Sequence, residues 1–159
     1  MNEVFGLTPA LSVLIALLIP VTGAVGCTVC LIVSNKFGFW KTTLVLVAVS
    51  ALLSALLSGV YGFVFVLTVI LVLILLIIVR GIAHVVGFQV PVEARNITSP
   101  ASAATVINIF GCIGAAAGPP LFGALIDGGG GYTAFYIASA VCSVVLGAFT
   151  LLGYKKIKY

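Results

Sequence analysis

The sequence predicts an all-α integral membrane protein with about five transmembrane helices, and three observations predict it. Of 159 residues, 63% are apolar and only 6% charged, and the mean hydropathy is +1.41. A domain solvated by water carries about a quarter of its residues as charges, so the solvent here is lipid. Apolar runs reach the roughly 20 residues that a helix needs to cross the hydrocarbon core. Finally, the seven lysines and arginines sit at the edges of those runs or in the short gaps between them. A net charge of +4 and a pI near 9.0 would invite a nucleic-acid reading in a soluble chain. With so few charges they read as orientation in a bilayer, and no nucleic-acid partner is expected.

The first span is expected near 7–33, interrupted by Pro20, Gly23 and Gly26. Its leading "MNEVFGL" carries Glu3 and no basic residue, unlike a secretory leader, so the run is expected to belong to the mature protein. The next apolar stretch, 44–79, would be about 54 Å long as one helix, too long for one crossing. Ser58, Gly59, Tyr61 and Gly62 offer a turn, which gives spans near 42–59 and 62–86. A fourth span near 101–126 and a fifth near 132–154 are separated by "DGGGGY", a helix stop and reversal. Together these make one membrane domain over 1–159.

On this map every cation falls on one side. Lys36 and Lys41 follow span one, in "SNKFGFWKTT"; Arg80 and Arg95 fall near and after the end of span three; Lys155, Lys156 and Lys158 follow span five. Lysine- and arginine-rich segments stay in the cytoplasm. The expectation is therefore a multi-pass cell-membrane protein with its N-terminus outside and its C-terminus in the cytoplasm. "SNKFGFWKTT" is expected to be an inner loop. An odd number of spans starting outside points to preceding helices missing from the chain.

Span four, "SAATVINIFGCIGAAAGPPLFGALID", is rich in small residues. Gly114 and Gly118 form a G-x-x-x-G pair, with Gly111 and Gly123 nearby, and small residues let backbones approach in lipid. Pro119 and Pro120 remove two backbone donors and kink the helix. Two readings stay open: a tightly packed bent helix, or a bent helix lining a polar path.

Two stretches resemble the major facilitator superfamily of transporters. In "SNKFGFWKTTLVL", Lys36, Gly38 and Lys41 match the loop motif of that family in the copy between its eighth and ninth helices. Leu31 and Asn35 stand where the family has glycine and an acid. In "VPVEARN" and the glycine-rich segment after it, Pro91, Glu93, Arg95, Gly118, Pro119, Gly123, Asp127 and Phe135 are similar to the region of the tenth to twelfth helices. The resemblance covers nearly the whole chain and would make it helices eight to twelve, most of one six-helix half. It implies a truncated secondary carrier moving a small solute by alternating access, with the missing N-terminal half as a partner beside the lipid bilayer. It further implies that Asn35, Lys36, Gly38, Lys41, Glu93 and Arg95 act in the gating loops. Spans one, three and four would face the cavity, and spans two and five the lipid.

The candidates for chemistry are few. Arg80 and His84 lie one turn apart. Titratable residues in spans are often functional, yet both could anchor at the headgroups. Thr105, Asn108 and Cys112 recur at helical spacing on span four, and Asn108 needs partners in lipid, from a facing helix or from solute and water. Thr22 and Thr28 on span one are weaker candidates of that kind. Cys27 and Cys30 form a C-x-x-C inside an apolar run, where packing outweighs redox chemistry, and Cys112 and Cys142 are likewise apolar. Two glutamates and Asp127 are too scattered for acid–base catalysis, so no enzyme, cofactor or metal is expected. The alternative to a carrier is a complete five-span interaction subunit that docks on a partner through its small-residue face.

Overall fold

The computed structural model describes residues 9–60, 65–93 and 99–157, with side chains for all of these except 9–12, 15, 16, 93 and 154–157. Among the described residues the chain is helical apart from Gly38, Ser99 and a break at Gly129 and Gly131. Helix α1 (Pro9–Phe37) leads into α2 (Phe39–Val60), and α3 (Phe65–His84) continues through a π-helical turn at Val85–Gln89 into a last turn at Val90–Glu93. Helix α4 (Pro100–Leu125) runs through a second π-helical turn, Ile126–Gly130, into α5 (Gly131–Ile157). Tyr61 and Gly62 of the expected turn between spans two and three lie outside the described residues.

Four helical stretches are long and apolar enough to cross a membrane: Leu17–Phe37, Phe39–Val60, Phe65–Val92 and Pro100–Gly153. By length and composition these point to a multi-pass membrane protein. The last stretch would measure about 81 Å as a single rod, against a hydrocarbon core of about 30 Å. It is not a single rod. Gly129 (φ 93°) and Gly131 (φ 56°) leave the helical region, and Phe122 and Phe135 come together edge to face at 5.0 Å. On a straight helix those thirteen residues would separate them by about 20 Å, so the chain doubles back at the glycines.

The order of close contacts gives the direction of each rod. Gly26 meets Ile77, Cys30 meets Gly81, and Asn35 meets Gln89. Both numbers rise together, so α1 and α3 are parallel. Between α2 and α5 the numbers run oppositely: Trp40 with Gly153, Val47 with Gly147, Ser50 with Ser143 and Ser54 with Ser139. These two helices are antiparallel along most of their length. Their contact is the most extensive in the molecule, followed by that of α1 with α3, and α2 also touches α1 and α3. The expectation that the second span would mainly face lipid therefore gives way, because α2 is the central helix. It buries Thr42, Thr43, Val47, Ser50, Ser54 and Leu57. Small hydroxyl residues on both partners let α2 and α5 approach, which matters in a solvent where apolar burial gives little drive.

The expected inner loop "SNKFGFWKTT" is nearly all helix. Gly38, with φ 85°, is the one non-helical residue. Its N–H donates to Ser34 O at 2.8 Å, and Thr42 N–H donates to Gly38 O at 3.1 Å. A left-handed residue closes one helix while its carbonyl starts the next, and glycine adopts that conformation without a Cβ clash. Lys36 therefore sits in the last turn of α1 and Lys41 in the first turn of α2. At the start of α4, Ser99 is extended and Pro100 takes the first helical position, where its missing N–H leaves nothing unpaired.

Candidate functional site

The charged side chain that stands out is Arg80. Among the described side chains, Lys36 and Lys41 are at helix ends and Asp127 is in the π-helical turn, while Arg80 lies inside α3. The sequence places Arg80 near the end of a span closing at residue 86. The structure carries the helix on to Glu93, which puts Arg80 thirteen residues from that end, about 20 Å along the axis.

The direction of its side chain matters more. A Cβ built on Gly23 would lie 3.9 Å from Arg80 Cγ and Nε and 4.0 Å from Cδ. The arginine stem thus lies along the bare backbone of α1 at Gly23. Its own backbone is level with residues near Val29, because Ile77 faces Gly26 and Gly81 faces Cys30. The side chain leans toward the start of α1, as side chains on helices tend to do, and away from the end that carries Lys36 and Lys41. Gly23 is thirteen residues from Lys36, again about 20 Å. Arg80 is exposed, and among the described residues it has no hydrogen-bond or ion-pair partner.

The groove is fixed by close backbone approach. A Cβ on Gly26 would overlap the carbonyl of Ile77, and one on Gly81 would lie 2.9 Å from Cys30 Sγ. Thr22 is buried beside Gly23, and its hydroxyl donates to Ile19 O at 2.8 Å, so it is spent within α1. Thr28 donates to Ala24 O at 3.0 Å in the same way. His84, half-buried, turns to Phe88 with ring centroids 5.3 Å apart. The ring that follows Arg80 by one turn is thus held toward the far end of α3.

At the Gly38 end, Gln89 is buried and its Nε2 donates to Asn35 Oδ1 at 3.3 Å. Gln89 Oε1 and the hydroxyl of buried Thr42 have no partner among the described residues. Asn35 thereby gains a neutral partner from the end of α3. Lys36 Nζ lies 5.6 Å from the Phe37 ring centroid, and Lys41 is exposed. The side chain of Glu93 and all of Arg95 lie outside the described residues.

Helix α4 buries no residue. Thr105 is exposed and donates to Ala101 O at 2.9 Å. Asn108 is exposed, and its Oδ1 would lie 3.9 Å from a Cβ on Gly87. Nothing comes within 4 Å of a Cβ built on Gly111, Gly114, Gly118 or Gly123. The close small-residue crossing expected on span four is found between α1 and α3 instead, at Gly26 and Gly81. No G-x-x-x-G spacing marks it, although the glycines interrupting span one were visible. Pro119 and Pro120 are exposed within α4. Of the predicted residues, then, the structure gathers Arg80 with Gly23, close to Thr22, and Asn35 with Gln89. Thr105 and Asn108 stay apart on α4.

A cleft of about 360 Å³ between α2, α3 and α5 is walled by Val79, Ile82, Cys142 and Leu146, with Ser50 and Ser143 at its edge. The two hydroxyls are 3.2 Å apart and already serve each other. Cys30 adjoins a smaller apolar cavity of about 100 Å³ that also includes Thr42, a packing environment for a thiol. No family model matches the chain, and no curated protein or solved structure is similar to it.

Proposed function

We propose that the chain is the C-terminal part of a major-facilitator-type secondary carrier that moves a small solute across the cell membrane by alternating access. In that mechanism one bundle of helices rocks against another around a central site. The observation that carries the reading is α4. It is a membrane-length helix with Thr105, Asn108 and two internal prolines, yet it buries none of its residues while the α1–α3 and α2–α5 pairs are closely packed. A helix that lines the interface between two halves is bare when one half is absent. The alternating rods support the same reading, because they bring Lys36, Lys41 and the end of α5 to one end of the bundle. That end is the cytoplasmic one in the proposal.

Expression of the chain together with the product encoded immediately upstream tests this. If that product supplies about seven further spans, the pair should co-purify and drive solute uptake in proteoliposomes, with Asn108→Leu lowering the rate about ten-fold. An upstream region without membrane spans, with the chain alone monodisperse, would defeat the carrier. The alternative is a five-span interaction subunit without transport activity, which the unpartnered Gly114 and Gly118 favour. It predicts a defined hetero-complex and no uptake.

A further inference from the structure

The cleft of about 360 Å³ between α2, α3 and α5 has no part in the carrier reading, since no residue of α4 lines it. Its volume is within the range of small-molecule sites, which combine apolar walls with a few placed polar groups. Both are present here. Val79, Ile82, Ala83 and Leu146 wall the cleft, Ser50, Ser139 and Ser143 give it a polar edge, and no charged side chain lines it. A hydroxyl has one hydrogen to donate and two lone pairs that accept. The Ser143 hydrogen goes to Ser139 O at 3.0 Å. That of Ser50 goes to Val47 O at 2.8 Å or to Ser143 Oγ at 3.2 Å. Neither of these serines has a hydrogen left over, whereas each keeps a lone pair. Ser139 shares one hydrogen bond with Ser54 at 3.4 Å. The edge therefore accepts hydrogen bonds more readily than it donates them.

We propose that this cleft binds a neutral, compact apolar alcohol or phenol, whose hydroxyl donates to the Ser50–Ser143 pair while its hydrocarbon body lies against the aliphatic walls. Size sets the first limit. An apolar cavity of about 150 Å³ takes benzene, so this cleft suits a ring with short alkyl branches, about ten carbon atoms in all. Depth sets the second. Ser50 is the twelfth of the 22 residues of α2, about 15 Å from either end. That is the middle of a span whose hydrocarbon core is about 30 Å thick. A membrane lipid keeps its polar group at the surface and offers only an acyl chain at that level, which leaves the serine lone pairs unused. A charged ligand would meet no opposite charge there, where ions are costly.

The test is equilibrium binding of radiolabelled thymol to the purified full chain in phosphatidylcholine nanodiscs, with protein-free nanodiscs as the measure of simple partitioning. Wild type should bind saturably. Unlabelled p-cymene, which is thymol without its hydroxyl, and thymol methyl ether, which cannot donate, should each compete about three- to ten-fold less well than thymol, the weight of one hydrogen bond. The double variant Ser50→Ala, Ser143→Ala should erase that preference. Ala83 is exposed in the cleft wall, and Ala83→Trp should fill the space and lower affinity about ten-fold or more. Val144 is exposed on α5 and does not line the cleft, so Val144→Trp should bind as wild type does. Unchanged size-exclusion profile and helicity establish that each variant is folded, and Ala83→Leu carries the test if Ala83→Trp is not. Absence of saturable binding in wild type, or full affinity in the folded Ala83 variants, would overturn the site. Equal competition by p-cymene or by thymol methyl ether, or a preference for thymol that survives the serine variant, would overturn it too. So would loss of thymol binding on co-expression with the upstream product, which would give the cleft to a neighbouring helix. The carrier reading fails separately, on the upstream gene and on uptake, whatever thymol does.

Discussion

Gly26 and Gly38 are glycines for different reasons, and the difference is measurable. At Gly26 the obstacle is a neighbour: a Cβ would overlap the Ile77 carbonyl, and a backbone atom cannot swing aside. Gly26→Val should force α1 and α3 apart and destabilise the protein by about 1–3 kcal/mol, the usual range for overpacking. Thermal unfolding in detergent, read by loss of helical signal, measures it. At Gly38 nothing lies within 4 Å and the obstacle is φ at 85°. Gly38→Ala should cost about 1–2 kcal/mol through backbone strain alone, with no change at the α1–α3 crossing. The glycines in span one were visible in the sequence. Which of them touches a backbone was not, because contact depends on the register of a helix some fifty residues away.

At the scale of elements, the helices were largely legible and their ends less so. Long apolar runs specify rods almost by themselves, since a backbone in lipid must satisfy its own hydrogen bonds. The boundaries shifted where helical hydrogen bonding continues past a polar residue. Helix α1 extends to Phe37 through Ser34, Asn35 and Lys36, and α3 passes through the Val85–Gln89 turn to Glu93. That second extension leaves Arg80 thirteen residues before the helix end rather than close to it. The α2–α5 contact predicts a modest coupling. Ser50→Ala and Ser143→Ala, analysed as a double-mutant cycle on thermal unfolding, should couple by about 0.6 kcal/mol, the mean for hydroxyl and amide bonds between membrane helices. Zero coupling would reduce the 3.2 Å contact to mere proximity.

For the whole molecule, the directions of the rods matter more than their number. Helices α1, α3 and α5 run one way and α2 the other. Helix α4 starts near the end of α3 and reverses at Gly129–Gly131, so it runs with α2. Epitope tags before Met1 and after Tyr159 should therefore be accessible from opposite faces of sealed vesicles. Tags on the same face would break the alternation, and with it the grouping of Lys36, Lys41 and the C-terminal lysines. That grouping was readable in the sequence because charge placement and span count constrain each other. Asn35 beside Gln89 and Trp40 beside Gly153 now give it a geometric form.

The sequence by itself determined that the chain is helical and where its apolar rods lie, with Lys36 and Lys41 beside the junction of the first two. These follow from composition and run length, which act locally and need no partner. Only the tertiary structure decided which faces touch: α2 at the centre, α1 locked on α3 through Gly26 and Gly81, and the Arg80 stem laid along Gly23. In lipid almost every rod is apolar all round, so hydrophobicity does not distinguish one face from another. The choice falls to small residues and hydroxyls, whose effect appears only when two helices meet in register.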